Sequence, residues 1–321
     1  MVLLDWGVRP RYPKQMNGEY ITQSGALDDA LRRGDFRFRV GPFTARVKTS
    51  VPTLRRDFLQ LYEGYPLGAP GALDDFSLRV DFTSFARRWY RPKVVADTGF
   101  VNTPFVPLPD NLSILALEMG LNWLVATTAD QFLVFHSGMV ARDDKAIIMP
   151  GESGRGKSTL TAGLAYNGWR MFSDEFALLR PETIELYPYP RPVSLKNQSI
   201  QVLGDRVPET QFSRLFENTP KGTIRYLRPP AESLKASHRP ATPLMILFPE
   251  YNAAAPARVE EVTKIEAFAL IRGASVNCDR LGEAAFEGIA ALTERCPVFR
   301  ITYRSQDQAM EMVEELWERL S

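Results

Sequence analysis

Residues 151 to 158 read Gly151-Glu152-Ser153-Gly154-Arg155-Gly156-Lys157-Ser158, which fills every fixed position of the spacing G-x-x-x-x-G-K-[ST]. Glycines at those places let the backbone curl until successive N–H groups point inward at an anion, and a helix starting near Lys157 adds its positive end. In such a loop the lysine reaches the β and γ phosphates of a nucleoside triphosphate, and the hydroxyl at the last position ligates Mg²⁺. A glycine-rich turn into a helix would explain the glycines but not a Lys and a Ser at these places. Gly151 to Ser158, with Thr159 behind them, are therefore the candidate contacts to ATP and Mg²⁺.

The elements around the loop suit that chemistry. An apolar run, Ala146 to Met149, precedes it, and Leu160 and Leu164, four apart, follow it, so a strand, a loop and a helix come in sequence. The helix ends at Asn167-Gly168, a C-cap pair, after about 11 residues that carry the chain roughly 16 Å from the loop. A strand from Trp169 returns it by about 3.3 Å per residue, which brings Asp174 and Glu175 back level with the loop. Flanked by RMF and FALL, these carboxylates belong to a buried strand, where an unpaired charge is costly. His136 is placed by a second measurement. The strands 131 to 140 and 145 to 149 are joined by a turn centred between Asp143 and Asp144, which sets His136 opposite about Gly151. A structural histidine satisfied by its neighbours is the competing reading there. Arg191 and Lys196, in YPYPRPVSLKN, are candidates for phosphate or substrate contact, with solvated surface charge as the alternative; Lys221 and Arg225 are weaker ones. His238, in a Pro-rich stretch, reads as surface.

The rest of the chain divides unevenly. Phe36, Phe38 and Val40 alternate with Arg37 and Arg39, Phe43, Ala45 and Val47 resume after Gly41-Pro42, and Phe76 to Phe82 alternate again. Leu54, Phe58 and Leu61 have helical spacing between them. Residues 99 to 110, with three prolines, read as an extended boundary. A helix from Ser113 to Ala129 follows, with Ile114, Leu117, Leu121 and Leu124 on its apolar stripe and Glu118 and Asn122 turned away, and is expected to open the second unit. Strands at 169 to 179, 184 to 187, 223 to 227, 243 to 248 and 298 to 303 then interleave with helices, and Ser305 with Gln308 marks the start of a C-terminal helix. The expected organisation is a smaller α+β unit over 1 to 110, suited to partner or substrate binding, and an α/β unit over 111 to 321.

Bulk composition excludes more than it identifies. The 321 residues hold 39 Lys and Arg against 38 Asp and Glu, so no strong basic field points to nucleic acid. The longest charge-free runs, 98 to 109 and 158 to 169, have 12 residues, too short for the roughly 20 a membrane span needs. The first residues, MVLLDWGVRPRYPK, do not read as a secretory signal. Cys278 and Cys296 form no metal spacing or disulfide framework and read as buried free thiols, which fits a cytoplasmic protein.

Taken together, His136, the loop Gly151 to Ser158 and Asp174-Glu175 resemble the HPr kinase family, bacterial serine kinases on a PEP-carboxykinase-like P-loop fold. The segment PRPVSLKNQSI at 190 to 200 brings the resemblance nearest to the HPr-kinase-related kinases found beside exosortase and PEP-CTERM gene clusters. The overlap covers residues 131 to 200. Ser137 stands between His136 and Gly138, Glu175 replaces a second Asp, and no C-terminal Gly-Arg-Asn segment is present, so neither phosphorylase activity nor HPr as substrate carries over. The resemblance implies Mg²⁺-dependent transfer of the ATP γ-phosphate to a serine or threonine hydroxyl of a protein. By the same resemblance Asp174 is the base or orients the nucleophile, and Glu175 and Ser158, with Asp174, hold the metal, or the two acids exchange roles; His136 orients Asp174 or meets the γ-phosphate. A small-molecule kinase and a nucleotide-binding regulatory module are the rival readings, and self-association is left open.

Overall fold

The computed structural model describes residues 19–69, 71–151 and 154–321. The N-terminal stretch read as lacking a secretory signal lies outside them, as do Glu152 and Ser153 of the glycine-rich loop. These residues form a mixed α/β fold, with three sheets among them.

The first sheet is fed by α1 (Gly25–Arg33), whose N-terminus Ser24 caps by accepting from the Leu27 N–H and whose end is the left-handed Gly34. The hairpin β1 (Phe36–Val40) and β2 (Phe43–Lys48) follows, with Phe36, Phe38 and Val40 buried and Arg37 and Arg39 half-buried, as a period of two requires. The helix α2 (Pro52–Leu61) crosses to β3 (Phe76–Phe82), which pairs parallel with β2. β4 (Lys93–Asp97) and the short β5 (Leu108–Pro109) complete the order β1-β2-β3-β4-β5. Most of the proline-containing stretch before β5 has no regular element, as expected.

The helix α3 (Ser113–Thr128) departs from expectation twice. It packs on β3 and β4, so close that a Cβ at Gly120 would stand 2.6 Å from a Leu78 methyl, and so belongs to the first sheet rather than opening the second unit. Glu118 is also buried instead of turned away. It lies four residues after Ile114 and three before Leu121, on the same face, and a tertiary partner described below accepts it there. The apolar core does not break at residue 110. It runs from Ile21 and Phe38 through Leu117 to Phe132, Phe176 and Tyr226.

The large sheet is built from β6 (Leu133–Arg142), β7 (Lys145–Pro150), β8 (Arg170–Ser173), β9 (Phe176–Arg180), β10 (Glu185–Tyr187), β14 (Thr242–Tyr251), β15 (Arg258–Glu261) and β16 (Val298–Tyr303). Its order is β10-β9-β6-β7-β14-β16-β15, with β8 also on β6. β7, β14 and β16 are mutually parallel and their apolar runs are nearly continuous, because both faces are covered. On one face Ile147, Met149, Leu247 and Ile301 meet α4 (Lys157–Tyr166) and α10 (Gln306–Leu320); on the other, Ala146, Ile148 and Ile246 meet α7 (Lys264–Ala274) and α9 (Glu283–Arg295), with α8 (Cys278–Leu281) between those two. A smaller sheet of β11 (Val193–Lys196), β12 (Phe212–Thr219) and β13 (Gly222–Leu227), with α5 (Gln198–Gly204), packs on α4; α6 (Ala231–Lys235) follows.

Ser305 caps α10 by accepting from the Gln308 N–H, while the Gln308 side chain accepts from the Arg304 N–H. The helix is tied down by Trp317, edge-on to Trp169 at 4.7 Å, and by Glu314, which takes two hydrogen bonds of 2.7 Å from Arg142. Of the two thiols, Cys296 is buried, which pushes it up to about 12, and Cys278 is half-buried. No described helix is long and apolar enough to cross a membrane.

Candidate functional site

Register decides what meets the glycine-rich loop. The turn at Asp143 and Asp144 pairs Arg142 with Lys145, and the ladder ends with Ser137 opposite Pro150, so His136 is level with Gly151. On the other edge of β6, Met139 faces Ser173 and His136 faces Phe176, which leaves Asp174 and Glu175 beside Ser137 and Gly138. The expected strand from 169 to 179 is therefore two strands, and the break falls at the acidic pair. Ser173 makes the break by accepting from the N–H groups of Glu175 and Phe176 at 3.3 and 3.0 Å, and Ser137 donates its N–H to the Glu175 carbonyl at 3.1 Å. Both carboxylates thus leave the ladder at the level of the loop.

The loop leaves β7 with Gly151, Gly154 and Gly156 at φ +139°, +91° and +93°, a region only glycine enters without strain. Gly156 caps α4, and any Cβ there would collide with the Tyr303 hydroxyl. Lys157 is buried and donates from Nζ to the Gly151 carbonyl, folding its ammonium back across the loop. Arg155 pairs with Glu250 at 2.8 Å, and its carbonyl accepts from the Tyr251 N–H. The Thr159 carbonyl accepts from Gln306 Nε2 at 3.1 Å, joining α4 to α10.

Asp174 is buried behind the loop. Burial chiefly, and the negative charge of Glu175, raise its carboxyl to about 8, against the Ser158 hydroxyl, which donates to it, and the charges of Lys157 and Lys196. Its Oδ1 has no hydrogen-bond partner. Glu175 is half-exposed with Oε1 3.8 Å from His136 Nδ1. That contact is not an ion pair at neutral pH. Burial, Lys157 and Lys196 lower the His136 pKa below its usual value, outweighing the opposing pull of Glu175, so the ring is neutral. His136 and Gly138 share the strand face toward α4, where a Cβ at Gly138 would strike Thr161 Oγ1.

The structure thus brings His136, Gly151, Lys157, Ser158, Asp174 and Glu175 together, with Lys196 near enough for its charge to act on Asp174 and His136. Arg191 is elsewhere. It is buried and pairs with Glu118, also donating to Asn122 and the Glu118 carbonyl, over the Tyr189 ring at 5.5 Å. The residues expected to face solvent on α3 are its partners, so it does not face the acidic pair. Arg225 pairs with Glu209 and donates to the Ser213 carbonyl, Lys221 is an exposed residue at the β12–β13 turn, and His238 is half-buried beside the Lys235 carbonyl.

Two features had no motif to announce them. A cleft of about 570 Å³ opens beside the loop between His136, Gly151 and Arg155 and the residues Phe248, on β14, and Leu270 and Ser275, on α7 and just after it. Tyr303, at the end of β16, buries an unpartnered hydroxyl against Gly156.

Among the described residues, no cluster of three or more His, Cys, Asp or Glu side chains is placed to hold a metal alone. The unpartnered Oδ1 of Asp174, the Ser158 hydroxyl beside it and the half-exposed Glu175 nonetheless fit Mg²⁺, which takes one or two carboxylates and completes its shell with water and phosphate oxygens. Chemically, the site offers backbone N–H groups and an ammonium for an anion, a buried carboxyl raised to about 8, and a neutral imidazole beside Glu175. No protein-family model matches the chain, and no curated protein matches it.

Proposed function

We propose that this protein is an ATP-dependent kinase with an HPr-kinase-like P-loop catalytic unit, which passes the γ-phosphate to a serine or threonine hydroxyl of a protein. The observation that carries the reading is Asp174, a buried carboxyl at about 8 with one unpartnered oxygen, held by register beside Lys157 and Ser158. Binding a nucleotide needs the loop alone; a buried base poised near neutral pH serves proton transfer.

The loop N–H groups and Lys157 are placed to hold the β and γ phosphates, while Ser158 and Glu175, with Asp174 beside them, would hold Mg²⁺. When bound, Mg²⁺ supplies the charge neutralisation that phosphoryl transfer chiefly needs. Asp174 receives the acceptor's proton as its oxygen bonds to the γ-phosphorus and the bond to the β-phosphate oxygen breaks, releasing ADP. His136, neutral and level with Gly151, is placed to meet the γ-phosphate or to set the orientation of Asp174. A small-molecule acceptor is the second reading, favoured by the cleft beside His136, whose volume lies in the range of small-ligand sites.

The test is incubation of the purified protein with γ-labelled ATP, Mg²⁺ and a cell extract. A labelled protein band supports the first reading, and label in the small-molecule fraction supports the second. Lys157→Ala and Asp174→Asn are expected to lower transfer by about 10²-fold or more. Transfer by Asp174→Asn at the parental rate would remove Asp174 as the base. ATP binding without any labelled product would leave a nucleotide-binding regulatory module.

A further inference from the structure

The connection between β3 and β4 carries a surface that the glycine-loop site does not use. Residues 83 to 96 hold Arg87, Arg88, Arg91 and Lys93 and not one carboxylate. Among the described residues no acidic side chain pairs with any of the four; Arg88 and Arg91 lie instead over the rings of Phe82 and Tyr90, at 5.7 and 5.6 Å. Between the cations, Phe85, Trp89 and Tyr90 are 80%, 78% and 67% exposed. The turn that presents them is ordered by its own backbone, with the N–H groups of Arg87, Trp89 and Tyr90 bonded to the carbonyls of Ser84 and Ala86.

Three large rings held in water on one short turn lose the free energy that burial would return, and a lone loop tip has no core to give them. Aromatic rings belong at the depth of lipid headgroups, where an apolar body and a polar edge are both satisfied, and neighbouring cations then meet the phosphates. A single-stranded nucleic acid would use the same residue types, but it is bound along an extended groove that tracks its backbone, and here the exposed rings sit together on one short turn.

We propose that the turn from Phe85 to Lys93 docks the protein on an anionic lipid surface, its rings entering the interface and its four cations facing the headgroups. None of the residues lining the cleft beside the glycine-rich loop comes from the first sheet, so docking leaves that cleft uncovered by the turn.

The test uses the full chain and extruded vesicles, of phosphatidylcholine alone or with one third phosphatidylglycerol. Sedimentation is expected with the anionic vesicles only, and it should weaken as salt rises. Each charge removed lowers partitioning by about fivefold, so Arg88→Glu with Arg91→Glu is expected to lower it by more than about 20-fold. A blue shift of tryptophan emission on binding should disappear in Trp89→Phe. Leu73→Ser, at the other end of β3 and 93% exposed, should bind like the parent. Absence of binding to the anionic vesicles overturns the proposal, and so does a charge-reversed variant, folded by circular dichroism, that binds as the parent does. Binding of a single-stranded oligonucleotide by the turn, with vesicles ignored, overturns it in favour of nucleic acid.

Discussion

Asp174 links function and stability through one proton. An unfolded aspartate ionises at about pH 4, whereas burial holds the folded one at about 8. Between those values the folded protein keeps a proton that the unfolded chain has lost, so this contribution to stability is full below about pH 4 and falls as pH rises toward about 8. Asp174→Asn removes the titration. Thermal melts from pH 5 to 9 should show the parent losing stability across that range relative to the variant, with the variant the more stable at pH 8. Equal slopes would mean that Asp174 ionises normally. The same group sets an activity profile: for the proposed transfer, kcat/KM should climb with pH through a limb no higher than about 8, because the base must be unprotonated and bound Mg²⁺ would favour its ionised form. A profile flat from pH 6 to 9 would assign the proton to another acceptor.

At the scale of elements, two contacts hold the parts in place. The pair Arg191–Glu118 joins α3 to the segment before β11, with Tyr62 donating to Glu118 at 2.5 Å. Leaving either charge alone in that site costs about 3 to 5 kcal/mol, so Arg191→Met should lower the urea midpoint sharply, and Glu118→Gln with Arg191→Met should recover part of the loss. Parental stability with lost transfer in Arg191→Lys would instead put Arg191 at the phosphates. The second contact is Gly156 against Tyr303. Gly156→Ala adds a strained φ and a collision with the hydroxyl, and is expected to weaken ATP binding by more than tenfold in calorimetry. Tyr303→Phe removes a hydroxyl with no partner and should leave stability unchanged or raise it by about 1 kcal/mol.

For the whole molecule, the continuous core matters more than the boundary drawn at residue 110. Since α3 packs on β3 and β4, and Phe132, Phe176 and Tyr226 share a cluster with Phe38 and Leu117, a cut between 110 and 111 exposes apolar faces on both products. The fragment 111 to 321 should bind a hydrophobic dye and unfold at lower temperature, with less cooperativity, than the full chain. A fragment melting like the parent would show the two parts to be energetically separate.

The strands β1, β2, β3 and β7, the helix α4 and the capped start of α10 were legible in the sequence because each depends on local spacing: period two, period 3.6, or a capping residue. Register was legible as well, since a two-residue turn at Asp143-Asp144 leaves one alignment, and that alone placed His136 level with Gly151. Other features needed the tertiary structure. The break that frees Asp174 and Glu175 from the ladder depends on Ser173 bonding two N–H groups, which a run of buried residues does not reveal. Glu118 looked solvent-facing by type, and Arg191, 73 positions away, with the Tyr62 hydroxyl, makes its burial tolerable. Spacing sets which face a side chain takes. Whether a charge survives on the inner face depends on a partner that folding delivers from elsewhere in the chain, and the same holds for the pKa of Asp174 and for the cleft that α7 closes.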